Sequence, residues 1–101
     1  MKNIFEVSRK VHEAITSKKP IVALESTLIS HGLPYPENIQ VANESIKAVE
    51  DNGAIAATIG IIKGKVKIGL SNEDIELLAK DSNVKKVSNH NINLSIFNKE
   101  N

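Results

Sequence analysis

The chain has 101 residues, 41% apolar and 25% charged, with a net charge of +1. That is enough for one small globular domain, and too little charge of either sign for a general nucleic-acid or membrane surface. It contains no cysteine, which excludes a disulfide frame and a thiolate metal site, and only 3% aromatic residues, which leaves no stacking platform for single-stranded nucleic acid. No apolar run approaches the roughly 20 residues of a membrane helix, and residues 1–19 are polar and amphipathic, with no signal-peptide core. A cytoplasmic enzyme, or part of one, is the expectation, with no nucleic acid and no membrane as partner.

Asn3 and Glu6 have the spacing of a capping box. Ile4, Val7, Val11, Ala14 and Ile15 recur at helical spacing, predicting a first helix that ends at Lys18-Lys19-Pro20. Residues 21–24 are continuously apolar, the pattern of a strand covered on both faces. Residues 32–36 predict a rigid turn, with Pro36 in the first turn of a second helix and Glu37 at the positive end of its dipole. That helix is expected over about residues 37–51. Ile39, Ala42, Ile46 and Val49 form its stripe, widened by Val41 and Ala48, and Asn52-Gly53 stops it. Residues 54–62 predict a second strand, with Ile55, Ala57, Ile59 and Ile61 on one face. Lys63-Gly64 predicts a tight hairpin turn, and residues 65–69 return with Val66 and Ile68 inward. Ser71, with Asp74 three residues on, caps a third helix whose apolar side holds Ile75, Leu77 and Leu78. Residues 84–87 have the pattern of a fourth short strand, and residues 89–101 have too few apolar side chains to close a core. The order α-β-α-β-β-α-β predicts an α/β fold, a layered α/β/α sandwich around a mixed sheet that is incomplete and open at its edges.

A strand that runs into Glu25, Ser26 and Thr27, then Ser30, His31 and Gly32, places a carboxylate, hydroxyls and an imidazole at the carboxyl end of a sheet. Ligands of open α/β folds bind there. Glu25, flanked by apolar residues, suits a proton donor of raised pKa, and it equally suits a capping or salt-bridged carboxylate. Ser26, Thr27 and Ser30 suit a phosphate or sugar hydroxyls, and equally the turn's own backbone. His31 suits a base or phosphate contact, and equally a buried imidazole holding loop carbonyls. His12 and His90 read as solvated, and the histidines are too scattered for a metal site. Lys63, Lys65 and Lys67 read as the outer face of the hairpin. Lys85-Lys86 reads as a solvated pair, of which a strand turns only one toward any site. Gly53, Gly64 and Gly69 form no phosphate-binding loop.

The run Val22-Ala23-Leu24-Glu25-Ser26-Thr27-Leu28-Ile29-Ser30-His31-Gly32-Leu33-Pro34-Tyr35-Pro36-Glu37-Asn38 closely resembles the N-terminal signature of the pseudouridine-5′-phosphate glycosidases, also called the indigoidine synthase A-like family. The similarity continues through Asn52-Gly53-Ala54-Ile55-Ala56-Ala57-Thr58-Ile59 and Gly64-Lys65-Val66-Lys67-Ile68-Gly69-Leu70-Ser71. It also takes in Glu76-Leu77-Leu78 and Val84-Lys85-Lys86-Val87-Ser88. It corresponds to about the first third of a family member, so residues 1–101 are expected to be the N-terminal portion of a glycosidase-like domain. Asn89-His90-Asn91-Ile92 stands where the family usually has an Arg-Arg-Asp-Leu-type stretch. The family's Gly-Ala-Thr-Thr motif would follow Asn101.

The resemblance implies reversible cleavage of the C–C glycosidic bond of pseudouridine 5′-phosphate to uracil and ribose 5-phosphate, in nucleotide catabolism. It implies a lysine that forms an imine with C1 of the opened ribose, a glutamate that shuttles a proton, and Mn²⁺ held by an aspartate. The glutamate carries over to Glu25 as the catalytic residue, and the substrate-binding lysine of Val-X-Lys-Val-Ser carries over to Lys86. The imine-forming lysine and the metal aspartate belong to the portion outside the match, so no metal ligand is assigned in this chain. The resemblance further implies a homo-oligomer, a trimer, for the complete enzyme, and little or no activity for this chain alone. The alternative expectation is a non-catalytic binding or assembly module, or a split-gene fragment, acting with a longer partner through an open sheet edge.

Overall fold

The computed structural model describes residues 4–81, 84, 98, 99 and 101, without the side chains of Leu28 and His31. Its elements are β1 (Phe5–Val7), α1 (Arg9–Thr16), β2 (Ile21–Glu25), a π-helical turn (Leu28–Gly32), α2 (Glu37–Asp51), β3 (Ile55–Ile62), β4 (Lys65–Ile68) and α3 (Asn72–Lys80). The strands form one mixed sheet in the order β1-β4-β3-β2. β2 and β3 are parallel, β3 and β4 form an antiparallel hairpin, and β1 lies parallel to β4.

Helices lie on both faces of this sheet, as the α/β reading expects. Alternation along β3 puts Thr58, Gly60 and Ile62 on one face and Ala57, Ile59 and Ile61 on the other. Ile62 joins Ile29, Ile75 and Leu78 in the main core, with Ala42 and Ile46 of α2 and Leu70 packed around them. Ala57 and Ile61, also buried, point the other way. That is the side of α1, which touches β2 and β3 and buries Val11 and Ala14.

The N-terminal segment and β2 differ from expectation. The first helix starts at Ser8 rather than near Asn3: the Ser8 hydroxyl accepts from the Val11 N–H at 3.2 Å. Phe5–Val7 before it is a strand in register with Val66–Ile68. The helical spacing of Ile4 and Val7 therefore leads to no shared helix face, and both are exposed, as is Ile15. The apolar run of β2 predicts cover on both faces, but the strand is an edge of the described sheet, with Val22 40% exposed and Ala23 exposed. A strand with a neighbour on one side only leaves part of its surface in water.

The hairpin forms as its turn chemistry dictates. Lys63 (φ 50) and Gly64 (φ 78) both take the left-handed conformation that a tight two-residue turn demands. Gly69 has φ +95, and a Cβ there would lie 2.8 Å from Val11 Cγ2, so only glycine lets the end of β4 pass this close to α1. Residues 84–87 lie outside the described residues except Val84, which packs against the main core.

Lys67 does not sit on a solvated outer face as the hairpin reading expects. Its ammonium lies 3.2 Å from the Asp74 carboxylate, with both side chains largely covered. Asp74 also accepts from the Ser71 N–H, and the Ser71 hydroxyl accepts from the Asp74 N–H, completing the capping box of α3. Burial pushes the Asp74 carboxyl up. The Ser71 N–H and the Lys67 ammonium together outweigh it and hold the carboxyl below the usual aspartate range. A lowered folded-state value means the contribution is complete above the ordinary aspartate value of about 3.9. It is lost as pH falls below that value and through the folded-state one. Asp74→Asn is expected to cost about 1 kcal/mol at pH 7. It should also flatten the fall in urea midpoint as pH drops below about 4. A midpoint unchanged both at about pH 7 and below about pH 4 would show that the cap and pair contribute nothing.

Candidate active site

β2 carries Glu25 to its carboxyl end, in register with Ile59 of β3. The chain then turns: the Ser26 carbonyl accepts from the N–H groups of Ile29 (3.1 Å) and Ser30 (3.3 Å), and the backbone widens into the π-helical turn. Such turns concentrate at functional sites. The segment leads through the cis Tyr35–Pro36 bond into α2, where the Asn38 N–H donates to the Pro34 carbonyl at 3.0 Å.

Asn38 locks this arrangement. It is 2% exposed. Its amide nitrogen donates to the Ile29 carbonyl in the π-helical turn at 2.8 Å and to the Ala79 carbonyl in α3 at 3.0 Å. Its amide oxygen accepts from the Ile39 N–H at 2.8 Å. One side chain thus ties the turn after Glu25 to two helices, pairing the buried Ile29 carbonyl and two part-buried backbone groups.

Leu24, Glu25, Ile29, Val41, Ala42, Ser45 and Thr58 line a pocket of about 130 Å³ between the end of β2 and α2. Its walls are aliphatic, with Ser45 and Thr58 as hydroxyl-bearing residues; Glu25, in register with Ile59, borders it from the strand end and alternates to the other face of the sheet from Leu24 and Thr58. Glu25 is exposed at the rim, whereas Thr58 is 5% exposed. Apolar walls with a few polar groups are the usual make-up of a small-molecule site. Such sites span about 300–1,000 Å³, so this pocket holds part of a ligand rather than a whole nucleotide.

Of the residues that the sequence singles out, Glu25 stands at this pocket. Lys86 and His90 lie outside the described residues, and of His31 only the backbone, in the π-helical turn, is described. Ser26, Thr27 and Ser30 are half-buried, and Ser26 Oγ packs toward Gly60 on β3. His12 is exposed. The sequence reading missed Ser45, Thr58 and Asn38. Ser45 lies three and four residues from Ala42 and Val41, within helical reach of the apolar stripe, and that spacing was its available signal. Among the described residues, no group of three or more His, Cys, Asp or Glu side chains could hold a metal ion. No helix among the described residues is long and apolar enough to cross a membrane.

Residues 10–101 match the family described as indigoidine synthase A like protein. The chain belongs to this family. A pseudouridine-5′-phosphate glycosidase of Staphylococcus aureus (strain MW2) is 50% identical over 92 residues, 91% of this chain and 30% of the relative. A protein of the same name from Thermosipho africanus (strain TCF52B) is 54% identical over 95 residues, 93% of this chain and 32% of the relative. The crystal structure of the prealnumycin C-glycosynthase AlnA in complex with ribulose 5-phosphate matches with a TM-score of 0.84 at 33% identity, over 99% of this chain and 32% of that chain. This indigoidine synthase A-like chain spans about 30% of the length of the curated relatives it matches. The family match covers β2, the π-helical turn and α2, the elements that build the pocket.

Proposed function

We propose that the chain is the N-terminal portion of a pseudouridine-5′-phosphate glycosidase, in which Glu25 carries the proton to and from C5 of uracil. The placement of Glu25 supports this most: it ends β2 on the rim of an apolar pocket, immediately before a π-helical turn. Relatives at 50% and 54% identity carry that name. Breaking the C–C bond between the sugar and C5 requires a proton at that carbon. A positioned carboxylic acid delivers it, and as carboxylate removes it again in synthesis. In this reading Lys86 contacts the phosphate or a hydroxyl of the substrate, as a flexible point charge can. The electron sink at the sugar carbon and the Mn²⁺ ligand belong to the portion of the longer relatives outside the match. The complete enzyme is then a cytoplasmic homo-oligomer, a trimer, acting in nucleotide catabolism.

The chain alone is expected to release no measurable uracil from pseudouridine 5′-phosphate. With Mn²⁺ and a polypeptide carrying the S. aureus relative beyond the matched stretch, it is expected to do so. Full turnover by the chain alone, or none by a folded stoichiometric complex, overturns this reading.

A further inference from the structure

Asn38 is placed where packing alone would favour an apolar residue. Only 2% of it is exposed, and a carboxamide there loses its hydration. What it gains is direction. Its amide donates to the Ile29 carbonyl at 2.8 Å, and Ile29 is the second residue of the π-helical turn. A continued π-helix would bring the N–H of residue 34 to that carbonyl, but residue 34 is proline and has none. The chain has also left the turn at Leu33, which is extended (φ −128, ψ 152). The Asn38 carboxamide stands in for the donor that Pro34 lacks.

One further hydrogen bond links this contact to Glu25. The Ile29 N–H donates to the Ser26 carbonyl at 3.1 Å, and Ser26 directly follows Glu25. The Ile29 side chain is buried in the main core, which sets the depth of the turn. The bond from Asn38 sets the direction in which the Ile29 peptide faces. The other N–H of Asn38 reaches the Ala79 carbonyl at 3.0 Å, so the turn is held against α3 as well.

We infer that Asn38 is a positioning residue for Glu25: its carboxamide replaces the donor that Pro34 lacks, fixes the turn that follows the carboxylate, and holds that turn against α3. The catalytic consequence rests on the role proposed for Glu25; the hold on the turn does not. Proton transfer to carbon depends on placement, and a misplacement of about 1 Å can cost of order 10²-fold. Loss of the Asn38 donors therefore acts on rate, through Glu25, in addition to its effect on stability. A packing residue of equal burial has no such route. Val11 is such a residue: it is likewise 2% exposed, and it belongs to α1 on the other face of the sheet.

Amide hydrogen exchange followed by NMR reads the hold on the turn in the chain itself. In Asn38→Leu, the amides of Ile29 and Ser30 should speed up at least about tenfold more than those of the β3–β4 hairpin. In Val11→Ala, which lowers stability without touching the turn, the two sets should speed up together. Uracil release by the S. aureus relative carrying residues 10–101 of this chain reads the effect on Glu25. Under conditions where both variants are fully folded, Asn38→Leu should lower kcat at least about tenfold with KM within about twofold. Val11→Ala should leave kcat within about twofold of the parent. Where Asn38→Leu does not fold, Asn38→Ser, which withdraws the same donors without adding bulk, is read in the same two ways. Turn amides that speed up no more than those of the hairpin overturn the inference. So does a kcat that is unchanged in the Asn38 variant, or that falls equally in Val11→Ala. A folded parent that releases no uracil counts against the proposed function instead, and the turn amides then decide whether Asn38 holds the turn.

Discussion

Glu25→Gln is expected to slow uracil release by 10²–10⁴-fold, about 3–5 kcal/mol of transition-state stabilisation. The setting is a chimera in which residues 10–101 of this chain replace the matched stretch of the S. aureus relative. Glutamine keeps the size and most of the hydrogen bonding of the side chain but cannot exchange a proton with carbon. The loss should therefore fall on kcat, with KM little changed. Glu25→Asp keeps the carboxyl but draws it back by one methylene, so it should retain more activity than the glutamine variant. Equal activity of Glu25 and Glu25→Gln chimeras would leave the carboxylate as a solvated strand end. That outcome is physically ordinary for an exposed glutamate, which is why the substitution is informative.

The largest expected effect on stability is at Asn38. Asn38→Leu removes the donors to the Ile29 and Ala79 carbonyls and one of the two acceptors of the Ile39 N–H, which keeps the Pro36 carbonyl at 3.1 Å. Leucine fills similar space, so the loss is of hydrogen bonds rather than of packing. Leaving buried backbone groups unpaired costs about 1–3 kcal/mol each, less whatever the structure recovers by relaxing, so about 2–4 kcal/mol is expected. For a small domain whose total stability is of order 5–15 kcal/mol, that lowers the urea midpoint by about 1–2 M. Asn38→Asp should be no better at neutral pH, because it sets a negative charge against two carbonyl oxygens. An unchanged midpoint in Asn38→Leu would mean that the turn after Glu25 is held by its apolar contacts alone.

How much of this was legible in the sequence follows from the range of each interaction. α2, the β3–β4 hairpin and α3 were readable because their signals are local: an apolar stripe, a Lys-Gly turn, and a Ser71–Asp74 cap. β1 was not, because three residues of strand gain their meaning from Val66–Ile68, about 60 positions away, while their spacing also fits a helix. The place of β2 in the sheet was unreadable for a related reason. Composition tells how much of a strand wants cover, not which neighbours are present to supply it. Lys67 looked like one of three solvated hairpin lysines until α3 folded back and set Asp74 beside it. At the pocket, the strand-to-polar transition and the family signature both point to Glu25. Asn38 sat inside that same signature without showing its role, since a buried amide that bridges Ile29 and Ala79 leaves no periodic trace. Thr58 lies within the predicted second strand, and nothing in that strand's pattern marks it as lining a pocket.

The most direct test of the account is the turnover of the chimera with pseudouridine 5′-phosphate and Mn²⁺, measured as uracil release beside the intact S. aureus relative. Release of uracil and ribose 5-phosphate is expected at a rate within about tenfold of the intact relative, a difference of about 1.4 kcal/mol. A folded chimera of the relative's own oligomeric state that releases no uracil would contradict it, and would show that this chain keeps the fold of the family without its half of the site.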